Sequence, residues 1–166
     1  MTEILQKNVP EKEWNFFLGD CPISTVYHTP GWKKFLEETF SYESCYIFAV
    51  NECREIVGFL PLFQVNSMLS GNRLSSIPFA HECNPLGSTD VVMDLIAAAI
   101  DLNKHLDVGY IELRAGTNHP AFTSQNLFST YTLQLSTVEK TWGLIHKSAK
   151  RYIKKSMENL SVTRSN

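Results

Sequence analysis

The sequence predicts a mixed α/β fold of the α+β kind, a mostly antiparallel sheet flanked by helices. Stretches of helical periodicity are interleaved along the chain with short runs rich in branched and aromatic residues. Two of those runs, Cys45 to Val50 and Glu55 to Val65, are separated only by Asn51-Glu52-Cys53-Arg54, a segment with the length and composition of a hairpin turn. The bulk composition agrees, since 166 residues at 43% hydrophobic and 19% charged describe a globular chain long enough for one core of ordinary size.

The elements follow in order. Glu11 to Leu18 sets Trp14, Phe17 and Leu18 at helical spacing and ends at Gly19-Asp20 and Pro22. Thr29 is suited to cap a second helix and Pro30 to occupy its first position. That helix, Pro30 to Thr39, places Trp32, Phe35, Leu36 and Phe40 on one face, opposite Lys33, Lys34, Glu37 and Glu38. In the hairpin that follows, Pro61 argues against a regular central strand and for an edge or bulge. Residues 66–72 read as a loop, Arg73 to Ile77 as a strand, and Pro78 to Ser88 as an irregular segment able to line a cleft.

A long helix starts at Thr89 or Asp90 and carries the stripe Val92, Leu95, Ile96, Ala99, Leu102 and Leu106 until Gly109 breaks it. Tyr110 to Arg114 and Phe128 to Leu135 alternate as half-buried strands do. From Val138 to Met157 the positions Val138, Trp142, Ile145, Ala149 and Ile153 fall at helical spacing, with Lys147, Lys150, Arg151, Lys154 and Lys155 on the other side. Leu160 to Arg164 reads as the beginning of a strand.

Other classes are disfavoured. The net charge of −2 argues against non-specific nucleic-acid binding by the whole surface, though not by a local basic patch. Met1 to Glu13 lacks the basic and apolar regions of a secretory signal, so a cytoplasmic location is expected. The most apolar stretch, Val91 to Ile100, is about half the length needed to cross a bilayer and contains Asp94, so no stable membrane insertion is expected. Cys21, Cys45, Cys53 and Cys83 show no CxxC and no histidine at zinc-ligand spacing, and no metal is expected. His81 and Cys83 are two residues apart, a spacing that does not establish a thiol and base pair, and His28, His105, His119 and His146 suggest no constellation.

The order of elements resembles the acetyltransferase-like (GNAT) fold. Four segments narrow that resemblance to the Fem family of peptidoglycan bridge aminoacyltransferases. Tyr27-His28-Thr29-Pro30-Gly31-Trp32-Lys33-Lys34 is similar to that family's early helix start, and Ile56 to Leu62 to its strand with an internal glycine and proline. Phe79 through Gly87 is similar to its proline-aromatic loop, with Asn84 where a glycine is common. Tyr131 to Val162 is the most specific, with Thr132-Leu133-Gln134-Leu135-Ser136, Trp142 and the basic run Lys147 to Ser156 in the family's order. There Gln134 replaces the usual Asp, and Glu158-Asn159-Leu160 replaces a Lys-x-Gly turn.

This resemblance implies an N-terminal acetyltransferase-like domain over residues 1–136, with 137–166 as the basic helix and first strand of a second, truncated one. It also implies an activity, transfer of an amino acid from aminoacyl-tRNA to an amine of a nucleotide- or lipid-linked cell-wall precursor peptide. Such a transfer needs a neutral amine near the ester carbonyl and donors for the developing oxyanion; a covalent intermediate, metal or other cofactor is not required. By the same resemblance Lys34 falls on the lysine that meets the precursor's phosphates, its alternative being a surface pair with Glu38, and Tyr110 on the tyrosine whose hydroxyl contacts the precursor, its alternative being core packing with a satisfied hydroxyl. Lys147, Lys150, Arg151, Lys154 and Lys155 would meet the tRNA backbone, their alternative being a solvated helix face. No residue is assigned to catalysis.

A chain ending there is expected to be inactive by itself and able to pair with a second copy through exposed apolar surface. Two other readings share the fold: a FemAB-related acyltransferase of polysaccharide or exopolymer synthesis, and a binding module without catalysis. The [QR]-x-x-G-x-[GA] turn that holds a pyrophosphate at a helix start is missing from the sequence, so acyl-CoA binding is not expected.

Overall fold

The computed structural model describes residues 2–5, 9–68, 71–106, 108–116, 118–125, 129, 131, 133–161 and 163. The chain divides into two compact units, Met1–Gln125 and Asn126–Asn166. In the first, β1 (Glu3–Leu5) is followed by helix α1 (Glu11–Gly19), a 3-10 turn (Val26–His28), helix α2 (Pro30–Phe40) and strands β2 (Glu43–Ser44), β3 (Ile47–Val50), β4 (Ile56–Leu60) and β5 (Phe63–Val65). Then come β6 (Arg73–Ser75), β7 (Leu86–Gly87), the long helix α3 (Thr89–His105) and β8 (Tyr110–Glu112).

The strands form two four-stranded sheets, ordered β1-β3-β4-β7 and β2-β5-β6-β8. All pairs are antiparallel except β6 with β8. The expected hairpin forms, and both of its runs pass from one sheet to the other. Pro61 lacks the N–H that would continue the ladder, so the second run ends as β4 at Leu60 and resumes as β5 at Phe63. Opposite it the first run breaks between Ser44 and Ile47, where Cys45 donates its N–H to the Leu62 carbonyl at 2.7 Å. The turn is held by Asn51, whose Oδ1 accepts the N–H groups of Cys53 and Glu55.

Helices cover both faces of the first sheet, which is why β3 is buried at every position instead of alternating. Phe48 and Phe59 pack with Trp14 and Leu18 of α1 and Leu36 of α2, whereas Ile47, Ala49 and Leu60 pack with Leu95 and Ala99 of α3. Trp14 is the centre of the first group, edge-on to Tyr46, Phe48 and Phe59 with ring centroids 5.2 to 5.6 Å away. Truncating such a buried indole costs about 3–5 kcal/mol. Close approach of α3 depends on the paired residues Gly58 and Gly87. A Cβ at Gly58 would overlap Val91 Cγ1 and lie 3.2 Å from Leu95 Cδ1, and Gly87 has φ +139°.

Thr29 and Pro30 start α2 as expected, Thr29 Oγ1 accepting the Trp32 N–H at 3.3 Å. Of the apolar face of that helix only Leu36 is fully buried; Phe35 and Phe40 are exposed. Phe40 instead lies against Phe79, ring centroids 4.7 Å apart. Both Ile77 (φ +51°) and Phe79 (φ +67°) flank Pro78 with backbone conformations that cost such residues energy.

In the second unit the single helix expected from Val138 to Met157 is two, α4 (Val138–Leu144) and α5 (Lys147–Asn159). Gly143 weakens the end of α4, and Ile145 and His146 are extended at ψ 133° and 144°. The His146 ring then caps α5 by accepting the Ser148 N–H at 3.4 Å. Neither helix has a buried residue. In the strand expected over 128–135, Tyr131, Leu133 and Leu135 are exposed and in no strand, while Phe128, Thr130 and Thr132 lie outside the described residues. Val162 and Arg164 of the last expected strand also lie outside them, and Leu160, Ser161 and Thr163 are in no strand. Among the described residues no helix is long and apolar enough to cross a membrane.

Candidate functional site

The first turns of α1 and α2 border a cleft of about 360 Å³ whose wall includes Glu11, Trp14, Lys33, Lys34, Glu37 and Tyr46. The cap at Thr29 fixes where α2 begins and so puts both lysines on this wall. Their situations differ. Lys33 is half-buried and 2.8 Å from Glu37, whose carboxylate also accepts the Ser44 hydroxyl at 2.7 Å. Lys34 is 3.8 Å from Glu38, both side chains being about 70% exposed. A solvated pair of that kind contributes roughly 0.3–0.5 kcal/mol, so the Lys34 ammonium can turn to an anion at small cost.

Two residues of the same wall carry polar atoms buried without a protein partner, the Trp14 indole Nε1 and the Tyr46 phenol oxygen. Leaving such a group unpaired costs about 1–3 kcal/mol. Burial, with smaller contributions from Cys83 and Glu37, pushes the Tyr46 phenol far above its ordinary range, so it stays protonated and can donate. The cleft therefore presents the Lys34 ammonium, which suits an anionic ligand rich in oxygens, while the polar atoms of Trp14 and Tyr46 are enclosed behind its wall.

A second cluster lies where the irregular segment 78–88 meets the 3-10 turn. His28 and Cys83, 55 positions apart, come within 3.3 Å of each other and are both buried. The pair differs from a nucleophile and its base. The Thr25 backbone N–H donates to His28 Nδ1 at 3.0 Å, which leaves the ring proton on Nε2, and Nε2 donates to the Asn84 carbonyl at 2.9 Å. Nε2 has no lone pair left to take the thiol proton. Burial lowers the His28 pKa and pushes the Cys83 thiol up to about 12, so both groups are neutral and the cluster is a tie between segments.

That segment is fastened on its other side to β8. The Glu112 carboxylate accepts Arg73 Nε at 3.1 Å, Arg114 Nε at 2.9 Å and the Ser75 hydroxyl at 3.3 Å. Arg114 Nη1 donates to the Ala80 carbonyl at 2.8 Å, and the Cys83 N–H donates to the Arg114 carbonyl at 2.7 Å.

Of the residues singled out in the sequence, Lys34 stands on the cleft wall. Tyr110 is 45% exposed at the start of β8, paired in register with Arg73, and is not among the residues lining the cleft. Lys147, Lys150, Arg151, Lys154 and Lys155 come together on α5 with Glu158 among them. Lys150 donates to the Gly143 carbonyl at 3.1 Å. Among the described residues no group of three or more His, Cys, Asp or Glu side chains converges as metal ligands would. The sequence reading did not find Trp14, Tyr46 or the contact of His28 with Cys83. The capped helix start at Thr29-Pro30 and, through the family resemblance, Lys34 pointed to this region.

No protein-family model and no curated protein matches the chain. Among solved structures it is similar to a transcriptional regulator from Bacillus halodurans C-125, at 14% identity over 81% of this chain and 100% of that one, with a TM-score of 0.51. It is also similar to a ribosomal-protein-alanine N-acetyltransferase from Brucella melitensis biovar Abortus 2308 (10% identity, 81% and 99% covered, TM-score 0.47). A third is an acetyltransferase of the GNAT family from Staphylococcus aureus MU50 (13% identity, 67% and 71% covered, TM-score 0.45). At such identities the likeness concerns fold, and the mixed α/β, mostly antiparallel arrangement expected from the sequence is the one found.

Proposed function

We propose that this chain belongs to an acyltransferase of acetyltransferase-like fold whose α1–α2 cleft binds the phosphate-bearing part of an acyl acceptor. The finer reading is FemAB-type transfer of an amino acid from aminoacyl-tRNA to an amine of a peptidoglycan precursor peptide. In that reaction the acceptor nitrogen bonds to the ester carbonyl carbon, the bond to the tRNA ribose oxygen breaks, and the amine proton ends on the released hydroxyl. Holding acceptor and ester in line supplies most of the acceleration.

One observation carries this reading: Lys34, loosely paired and exposed, stands on the wall of a cleft. Lys34 would meet a diphosphate. Tyr110, outside the cleft wall, is assigned a separate contact to the acceptor.

Titration calorimetry of the full chain with a nucleotide-diphosphate-linked precursor peptide tests the cleft. Lys34→Ala is expected to weaken binding about tenfold or more, the loss of one hydrogen bond to a charged group. Failure of the unaltered chain to bind, or equal affinity in the variant, rejects the assignment. Transfer of a labelled amino acid from charged tRNA to the same precursor, with a longer chain if one is encoded, tests the finer reading.

A further inference from the structure

Helix α5 is amphipathic in a way that its cations alone do not explain. With 100° between successive residues, Lys147, Lys150, Arg151, Lys154 and Lys155 fall within an arc of roughly 140°. Ala149, Tyr152, Ile153 and Met157 fall on the opposing arc with Ser156 among them, and Leu160 continues it just past the helix end. Most of this arc is open to solvent: Tyr152 is 63% exposed, Met157 73% and Leu160 68%, with Ile153 at 36% and Ala149 partly covered. No residue of α5 is buried.

A polyanion such as RNA would engage the basic arc and leave the apolar arc in water. An anionic bilayer surface satisfies both. A helix lying in the plane of the headgroups sinks its apolar side toward the acyl chains, while lysines and arginines at the flanks extend to the phosphates. The charge is complementary, with five cations and a single carboxylate, Glu158, on the basic side. Its 13 residues, about 20 Å of helix, suit a segment that lies on a membrane and are too few to span one.

We propose, independently of the acyl-transfer reading, that α5 is an interfacial segment that binds anionic lipid surfaces through its apolar and basic sides together.

Co-sedimentation of the full chain with vesicles tests this, comparing mixed phosphatidylglycerol–phosphatidylcholine with phosphatidylcholine alone. The unaltered chain is expected to partition onto the anionic vesicles and at least about tenfold less onto the neutral ones. Two double variants, Ile153→Glu with Met157→Glu and Lys150→Glu with Lys154→Glu, are each expected to lower anionic partitioning about tenfold or more. Single-stranded RNA is titrated alongside. Absence of vesicle binding by the unaltered chain overturns the proposal, and that outcome depends on no variant. So does a loss confined to the lysine variant while the apolar variant binds like the parent, the pattern of simple polyanion attraction that RNA would share. Equal binding to neutral and anionic vesicles overturns it too.

Discussion

Tyr46 shows how one atom can oppose stability. Its ring is 6% exposed and packs edge-on against Trp14, while its hydroxyl has no protein partner. Tyr46→Phe keeps the ring and removes the unpaired group, so it is expected to raise unfolding stability by about 1 kcal/mol or more. Urea unfolding measures this, and a variant that loses stability would show the hydroxyl to be satisfied after all. None of this was visible in the sequence, because an unpaired donor is a property of the surroundings that α1, α2 and β3 create. Lys34 was singled out through the family resemblance alone; what the sequence shows locally is the cap at Thr29, which sets where α2 begins.

At the scale of elements, the contact of α3 with the first sheet rests on the facing glycines 58 and 87. Gly58→Ala is expected to destabilise by about 1–3 kcal/mol, with the Val91 side chain and the start of α3 displaced. Thermal unfolding measures it, and an unchanged midpoint would mean that Val91 can turn aside freely. Helices α1, α2 and α3 and the hairpin were legible because each is written in a local period or turn composition. The division of the last helix at Ile145 and His146 was not, since the apolar spacing of Val138, Trp142, Ile145 and Ala149 runs straight across it. Periodicity records which face a residue would take if helical, and says little about a cap formed by a histidine ring. Phe35 and Phe40 mislead in the same way, being on the expected face yet exposed and set edge-on to each other.

For the molecule as a whole, acid should act through His28. Burial holds its imidazole neutral in the folded chain, its pKa lowered from the ordinary 6.5. As pH falls below that value the unfolded chain takes up a proton that the folded chain resists, so stability is complete above about 6.5 and declines on acidification. Cys83, with its thiol at about 12, does not titrate in that window. His28→Gln removes the group and should flatten this part of a stability–pH profile measured by urea unfolding; an equal slope in the variant would assign the acid sensitivity elsewhere. The mixed α/β architecture was legible from the alternation of periods. The link between His28 and Cys83 was not, because only the folded path of the segment between them brings the two together.

The hairpin that belongs to both sheets has a further consequence. Successive strand residues point to opposite sides, and residues 43–50 and 56–65 supply the interior on both. One residue inserted ahead of Ile47 would therefore turn the strand inside out, sending Phe48 toward the α3 side and Ile47 toward the indole of Trp14. Length in this stretch should be far less tolerant of change than side-chain identity.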